Sequence, residues 1–264
     1  MRGGVKHFFW IPFGELLHGE LSVADAVFSA GPGNPEWWKG RAKVLERYTL
    51  PSLLNQTVKA DIWAGVARET ESICKPVHEA IYNAGGCVVY HPARDATKYG
   101  KAPAREAIIA ALEGYELDAV VFTCIDSDDM YLSTAQASVE MHRAQPGLAL
   151  LFRAGYIYNA ETGQMAFYDP KGSPPPFHAR TYTREYLSDP DAYEARWNYN
   201  LCHPQFGRLK NHHDLPDKQY VVVTHGQNTS TEWGKKTLRL GGKLTGFTTK
   251  ERARAILKSC GGAA

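Results

Sequence analysis

The chain contains no uninterrupted apolar run near the roughly 20 residues needed to cross a bilayer as a helix. It also has no internal repeat and no convincing interdomain linker. Its early apolar stretch, His7 to Leu17, is broken by Pro12, Gly14 and Glu15 and has no small-residue cleavage site, so it reads as a buried strand rather than an export signal. Cysteine is sparse: Cys74, Cys87, Cys124, Cys202 and Cys260 are odd in number, widely spaced and without a CxxC pair. That pattern argues against a disulfide framework and for a reducing compartment, so a cytoplasmic location is expected. Charge of one sign is lacking too. Thirty Lys and Arg against 28 Asp and Glu leave a formal charge of +2, too little to demand a polyanionic partner. One local basic group, formed by Lys235, Lys236, Arg239, Lys243, Lys250, Arg252, Arg254 and Lys258, reads either as a solvated tail or as a surface for a phosphate-bearing acceptor.

A hydrophobic fraction of 44% spread over 264 residues is enough for one α/β domain, in which residues 1–130 form a ligand-binding half and 131–264 an acceptor-side half. In the first half, strands are expected at Lys6 to Pro12, Ala60 to Val66, Cys87 to Tyr90 and Asp118 to Ile125. Between them, helical spacing runs from Trp37 to Leu54 with an interruption at Pro51, from Lys75 to Ala84, and from Ala102 to Leu112. Alternation of this kind predicts a mostly parallel sheet flanked by helices, whose ligands gather beyond the carboxyl ends of the strands. The second half reads differently. A helix is expected at Ser133 to Arg143, then a hairpin of Leu148 to Tyr158 with Gln164 to Tyr168, a Pro174 to Pro176 loop, and a helix from Pro190 capped by Asp189. A His-rich loop, a strand at Gln219 to Thr224 and a closing helix at Lys250 to Lys258 complete it.

The fourth strand ends in Asp126-Ser127-Asp128-Asp129. Carboxylates converging at a strand end suit Mg²⁺ or Mn²⁺, which take one or two protein carboxylates and keep positions open for phosphate oxygens. The alternative for Asp128 or Asp129 is a helix cap, which needs only one side chain. His225 follows the strongest strand of the second half and reads as a metal ligand or as a structural strand-end histidine. Pro12 and Phe13, at the end of the first strand, and Arg68, after the second, are placed to border a nucleotide base; Arg105 is placed to reach a phosphate. Each has a plainer reading as a turn or a surface charge. Zinc at His203, His212, His213 and Asp214 is disfavoured because their spacing matches no tight ligand pattern.

Three segments together resemble the GT-A glycosyltransferases, and within them the rhamnosyltransferase family: Arg41 to Thr57 with its Leu-Pro-Ser-Leu and Gln-Thr, Thr123 to Asp129, and Thr224-His-Gly-Gln-Asn228. The resemblance implies a GT-A-like (Rossmann-like) fold and transfer of a sugar from a nucleoside-diphosphate donor to a hydroxyl. It further implies Asp126 beside the donor ribose or sugar, Asp128 and Asp129 on a Mn²⁺ or Mg²⁺ ion, and His225 completing that ion's shell. A glycan is the acceptor implied. A hydroxylated base in DNA and a non-catalytic nucleotide- or carbohydrate-binding module are the competing readings. For an inverting transfer, Asp189 and Asp191 are the candidate general bases, although both positions also suit a helix cap and first turn.

Overall fold

The computed structural model of the chain describes residues 4–13, 31–92, 102–142, 146–169, 177–197, 212–225 and 243–262. Gly14, the Pro174 to Pro176 loop, Cys202, His203, the residues Gly226 to Asn228, and Lys235, Lys236 and Arg239 lie outside the described residues.

Four strands, β1 (Val5–Phe13), β2 (Asp61–Ala67), β3 (Cys87–His91) and β4 (Ala119–Cys124), lie parallel in the order β3-β2-β1-β4. The sheet continues past β4 with β9 (His178–Thr183), β6 (Ala149–Phe152) and β10 (His212–Leu215). β9 pairs antiparallel with both β4 and β6, and β10 runs parallel to β6, so only β9 opposes the common direction. The expected mixed, mostly parallel sheet flanked by helices is therefore present. Three of its strands come from residues beyond 130 and extend the sheet as a block past β4, so both halves of the chain contribute to one sheet.

Period-two alternation explains why the middle of this sheet is buried on both faces. Along β1, Phe9, Ile11 and Phe13 enter one core, while Phe8 and Trp10 enter the other. On the first face lie α1 (Pro35–Val44), the short α2 (Leu50–Leu54), α3 (Lys75–Asn83) and α5 (Ala135–His142), contributing Trp38, Leu53, Ile81 and Val139. The second face is covered by α4 (Arg105–Gly114), α6 (Glu185–Ser188) and α7 (Pro190–Trp197), through Ile108, Leu112, Tyr186 and Tyr193. Gly65 admits Trp10: a Cβ there would stand 2.1 Å from Trp10 Cζ2.

The expected break at Pro51 is instead a passage between two helices. Residues Leu45–Thr49 form a π turn in which the Leu50 N–H reaches Leu45 O, and Pro51 sits in the first turn of α2, where a missing N–H costs little. Pro12, expected to stop pairing, lies inside β1. Trp10 offers its carbonyl toward β4, accepting from Ile125 N at 3.0 Å, and Pro12 faces the same side two residues on, past the last β4 pair, Trp10 with Cys124.

The expected hairpin is half right. Residues 155–159 (β7) and Met165–Asp169 (β8) do pair antiparallel, but Ala149–Phe152 separates as β6 of the central sheet, divided from β7 at Arg153-Ala154. β7 and β8 belong to a second sheet ordered β12-β8-β7-β11-β5, with β12 (Lys243–Phe247), β11 (Tyr220–Thr224) and β5 (Met130–Tyr131). Helix α8 (Lys250–Ser259), capped by Thr249, packs Ala253 and Ile256 against Val221 and Val223 of that sheet. No helix among the described residues is long and apolar enough to cross a membrane.

Candidate metal centre

Strand order reverses between β1 and β4, because β1 leads to β2 on one side while β4 lies on the other. A crevice forms at such a switch point beyond the carboxyl ends of the strands. The acidic motif occupies it. Ile125 N–H still bonds to the end of β1, Asp129 N–H turns back to Asp126 O at 3.3 Å, and Met130-Tyr131 then joins the second sheet as β5. Five residues thus bridge two sheets, and that bridging sets the position of the carboxylates.

Ligand oxygens of Asp126, Asp128 and Asp129 all lie within 4.8 Å of one another, and this is the only such group of three among the described residues. Asp129 Oδ1 accepts from Val223 N at 2.9 Å, which anchors the motif to β11. Two residues further along that strand's direction, His225 Nε2 stands 3.1 Å from Asp128 Oδ2. Neighbouring ligands in an octahedral shell of about 2.1 Å radius lie roughly 3 Å apart, and opposite ones about 4.2 Å. Oxygen and imidazole donors suit Mg²⁺ or Mn²⁺; the 3.1 Å pair matches neighbouring positions of that shell, while the 4.8 Å spread of the carboxylates requires them to draw in by a fraction of an ångström around an ion.

Arg41 was not among the residues singled out from the sequence. Its Nη1 lies 2.7 Å from Asp128 Oδ2 and 3.4 Å from Ser127 Oγ, and only 6% of the residue is exposed. The guanidinium sits over the Trp37 ring, 5.2 Å from its centre. A signal was present: Trp38, Ala42, Leu45 and Tyr48 define a buried stripe running from α1 into the π turn, and Arg41 falls within it, so a cation there requires an anionic partner. Burial by itself would raise the Asp128 carboxyl, but the Arg41 charge and the hydrogen bonds from His225 and Arg41 outweigh it and hold the group well below the usual carboxylate range.

The other sequence candidates divide. Pro12 is half-buried at the same sheet edge, whereas Phe13 is turned into the core against Trp38 and cannot border a base with its ring. Arg68 and Arg105 are exposed, Arg68 after β2 and Arg105 opening α4. Asp189 and Asp191 are not brought to the motif. β9 runs from His178, opposite Cys124, to Thr183, opposite Ala119, so α6 and α7 follow at the opposite end of the sheet from Asp126. Asp189 Oδ1 accepts from Ala192 N at 2.9 Å and Asp191 is an exposed first-turn acid, which leaves both in the plainer roles. His212 and Asp214, expected in a loop, lie on edge strand β10 and contact Arg153 at 2.9 and 2.7 Å, an arrangement that repels a metal cation. A cleft of about 800 Å³ runs along α1 and α3 beside Lys39, Gly40, Lys43 and Glu79, with His225 also in its lining.

No protein-family profile and no curated protein sequence matches the chain. Among solved structures it is similar to S. aureus TarS, with a TM-score of 0.36 and 14% identity over 83% of this chain, of which it spans 37% of the length. It is also similar to glucosyl-3-phosphoglycerate synthase from M. tuberculosis in complex with Mg²⁺ and uridine diphosphate, with a TM-score of 0.33 and 13% identity over 98% of this chain and 80% of that one. A second structure of the M. tuberculosis enzyme gives 0.32 and 15%, over 98% and 82%. Scores at this level fix neither ligand nor reaction, which leaves the acidic crevice between β1 and β4 as the ground for a functional reading.

Proposed function

We propose that the chain is a metal-dependent glycosyltransferase that moves a sugar from a nucleoside diphosphate to a hydroxyl acceptor. The observation carrying this reading is the convergence of Asp126, Asp128 and Asp129 within 4.8 Å at the switch point, with His225 3.1 Å from Asp128. A Mg²⁺ or Mn²⁺ ion held there supplies charge stabilisation for the diphosphate as it leaves the sugar.

The chain's own residues do the rest. Asp128 and Asp129 orient the cation, the latter because its carboxylate is tied to Val223 N, and His225 approaches from β11. Asp126, on the β1 side of the turn, lies nearest the donor's ribose or sugar in this reading, with Pro12 and Arg68 bordering the base and Arg105 facing a phosphate. The cleft beside His225 has the volume of a small-ligand site. Asp189 and Asp191 are not carried forward as the base. A glycan is the leading acceptor, and a hydroxylated base in DNA the second, supported by the exposed Lys250, Arg254 and Lys258 at i, i+4 and i+8 on α8.

The test is donor hydrolysis and transfer across a panel of nucleotide sugars, with and without EDTA, for the native protein and Asp128→Asn. Turnover that needs the metal and falls by two or more orders of magnitude in the variant supports the reading. Turnover indifferent to both rejects the metal role. Duplex retention that weakens steeply with salt would favour DNA as acceptor over glycan.

A further inference from the structure

Arg41 presents a buried cation where the proposed function needs a divalent one. Its side chain is 7% exposed, yet its contact with Asp128 runs through Nη1 alone, at 2.7 Å, rather than through the two-pronged fork that makes Arg–carboxylate pairs strong. Nε has no hydrogen-bond partner, although buried guanidinium donors are ordinarily spent. Both Arg41 Nη1 and His225 Nε2 address the same oxygen, Asp128 Oδ2. A divalent ion ligated by that oxygen would sit within a few ångströms of the guanidinium, and two cations sharing one oxygen repel strongly between side chains this buried.

We propose that Arg41 is a resident counter-cation which holds Asp128 in the absence of metal, is displaced when a divalent cation binds, and then turns its unspent N–H donors to the donor's diphosphate. Metal entry and guanidinium release become one exchange. The exchange keeps Asp128 paired with a cation before and after metal entry and makes Arg41 a phosphate ligand only once the metal is in place. It rests on the glycosyltransferase reading of the acidic triad and concerns how that site is loaded. Trp37, whose ring lies 5.2 Å from the guanidinium carbon, supplies an optical reporter of the movement.

Calorimetric titration of Mn²⁺ alone into the apo protein tests it, comparing wild type with Arg41→Met, Arg41→Gln and Arg41→Lys. The neutral variants bind Mn²⁺ more tightly, on the order of tenfold, a usual size for site coupling. Arg41→Lys stays near wild type, and the neutral variants bind a nucleoside diphosphate with saturating Mn²⁺ more weakly than wild type. A merely damaged fold weakens metal binding, so a gain separates exchange from a structural role. Equal or weaker Mn²⁺ binding by both neutral variants overturns the inference and leaves the metal site standing. No Mn²⁺ binding by any protein, wild type included, overturns the inference and the metal site together. Should neither neutral variant fold, the wild-type protein decides: saturating Mg²⁺ shifts the tryptophan emission and Trp37→Phe abolishes the shift, whereas an unmoved wild-type spectrum overturns the exchange.

Discussion

Gly65→Ala is expected to be far more damaging than a one-carbon change suggests, because the carbon has no space. The added Cβ would stand 2.1 Å from Cζ2 and 2.3 Å from Cη2 of Trp10. An ordinary carbon–carbon contact is about 3.5–4.0 Å, so the overlap is roughly 1.5 Å. The indole has no exit, being fully buried and edge-on to Phe122 at 6.2 Å. Overpacking of a tight core costs about 1–3 kcal/mol, and this geometry places Gly65→Ala near the upper end. For a chain of this size, about 3 kcal/mol corresponds to a fall of roughly 6–12 °C in melting temperature. Urea unfolding of the two single variants and the double variant with Trp10→Phe gives the decisive number. Trp10→Phe removes the two overlapping atoms and forfeits no hydrogen bond, since Trp10 Nε1 has no partner. The double variant should be less destabilised than the sum of the singles by at least about 1 kcal/mol. Strict additivity would refute the packing argument. Metal binding should weaken with Gly65→Ala too, because Trp10 O receives the Ile125 N–H from which the acidic turn departs.

Asp189→Ala should lower stability by about 0.5–2 kcal/mol through loss of the α7 cap, with turnover per folded molecule unchanged; a large loss of turnover would restore Asp189 as a catalytic candidate. Because Asp128 has a depressed folded-state pKa, its contribution is complete above the unfolded value near 3.9 and is lost as pH falls below it. Wild type in EDTA should therefore outlast Asp128→Asn in urea at pH 7, and that advantage should begin to shrink only below about pH 4, with part of it kept at pH 3; an advantage that grows with acid would contradict the assignment. Among the described cysteines, Cys87 is exposed, while Cys260 is buried and its thiol is pushed up to about 12. Peptide mapping after brief maleimide treatment at neutral pH should find Cys87 labelled and Cys260 unlabelled until the protein unfolds.

The parallel core was legible because its strands carry long apolar runs: β1, β2, β3 and β4 lie within one or two residues of their expected bounds. β9 was not. Residues His178 and Arg180 interrupt its pattern, yet both are about 1% exposed, and tertiary packing rather than local sequence makes them strand residues. β10 was hidden behind His212, His213 and Asp214, which suit an exposed edge strand as well as a loop. The acidic triad and His225 were found because strand-end position is a local property. Arg41, 86 and 87 residues away from Ser127 and Asp128 in sequence, was visible only as a cation in an apolar stripe. Asp189 and Asp191 misled because β9 reverses direction, which carries the helices directly after it, α6 and α7, to the far end of the sheet.

In the proposed function the acidic crevice holds a diphosphate through a divalent cation. Calorimetry of nucleoside diphosphates into the wild-type protein, with 1:1 Mn²⁺ and then with EDTA, and repeated for Asp128→Asn, measures it directly. At least one nucleoside diphosphate should bind with Mn²⁺, and EDTA or the substitution should abolish its binding. Equal affinity in all three conditions would contradict it.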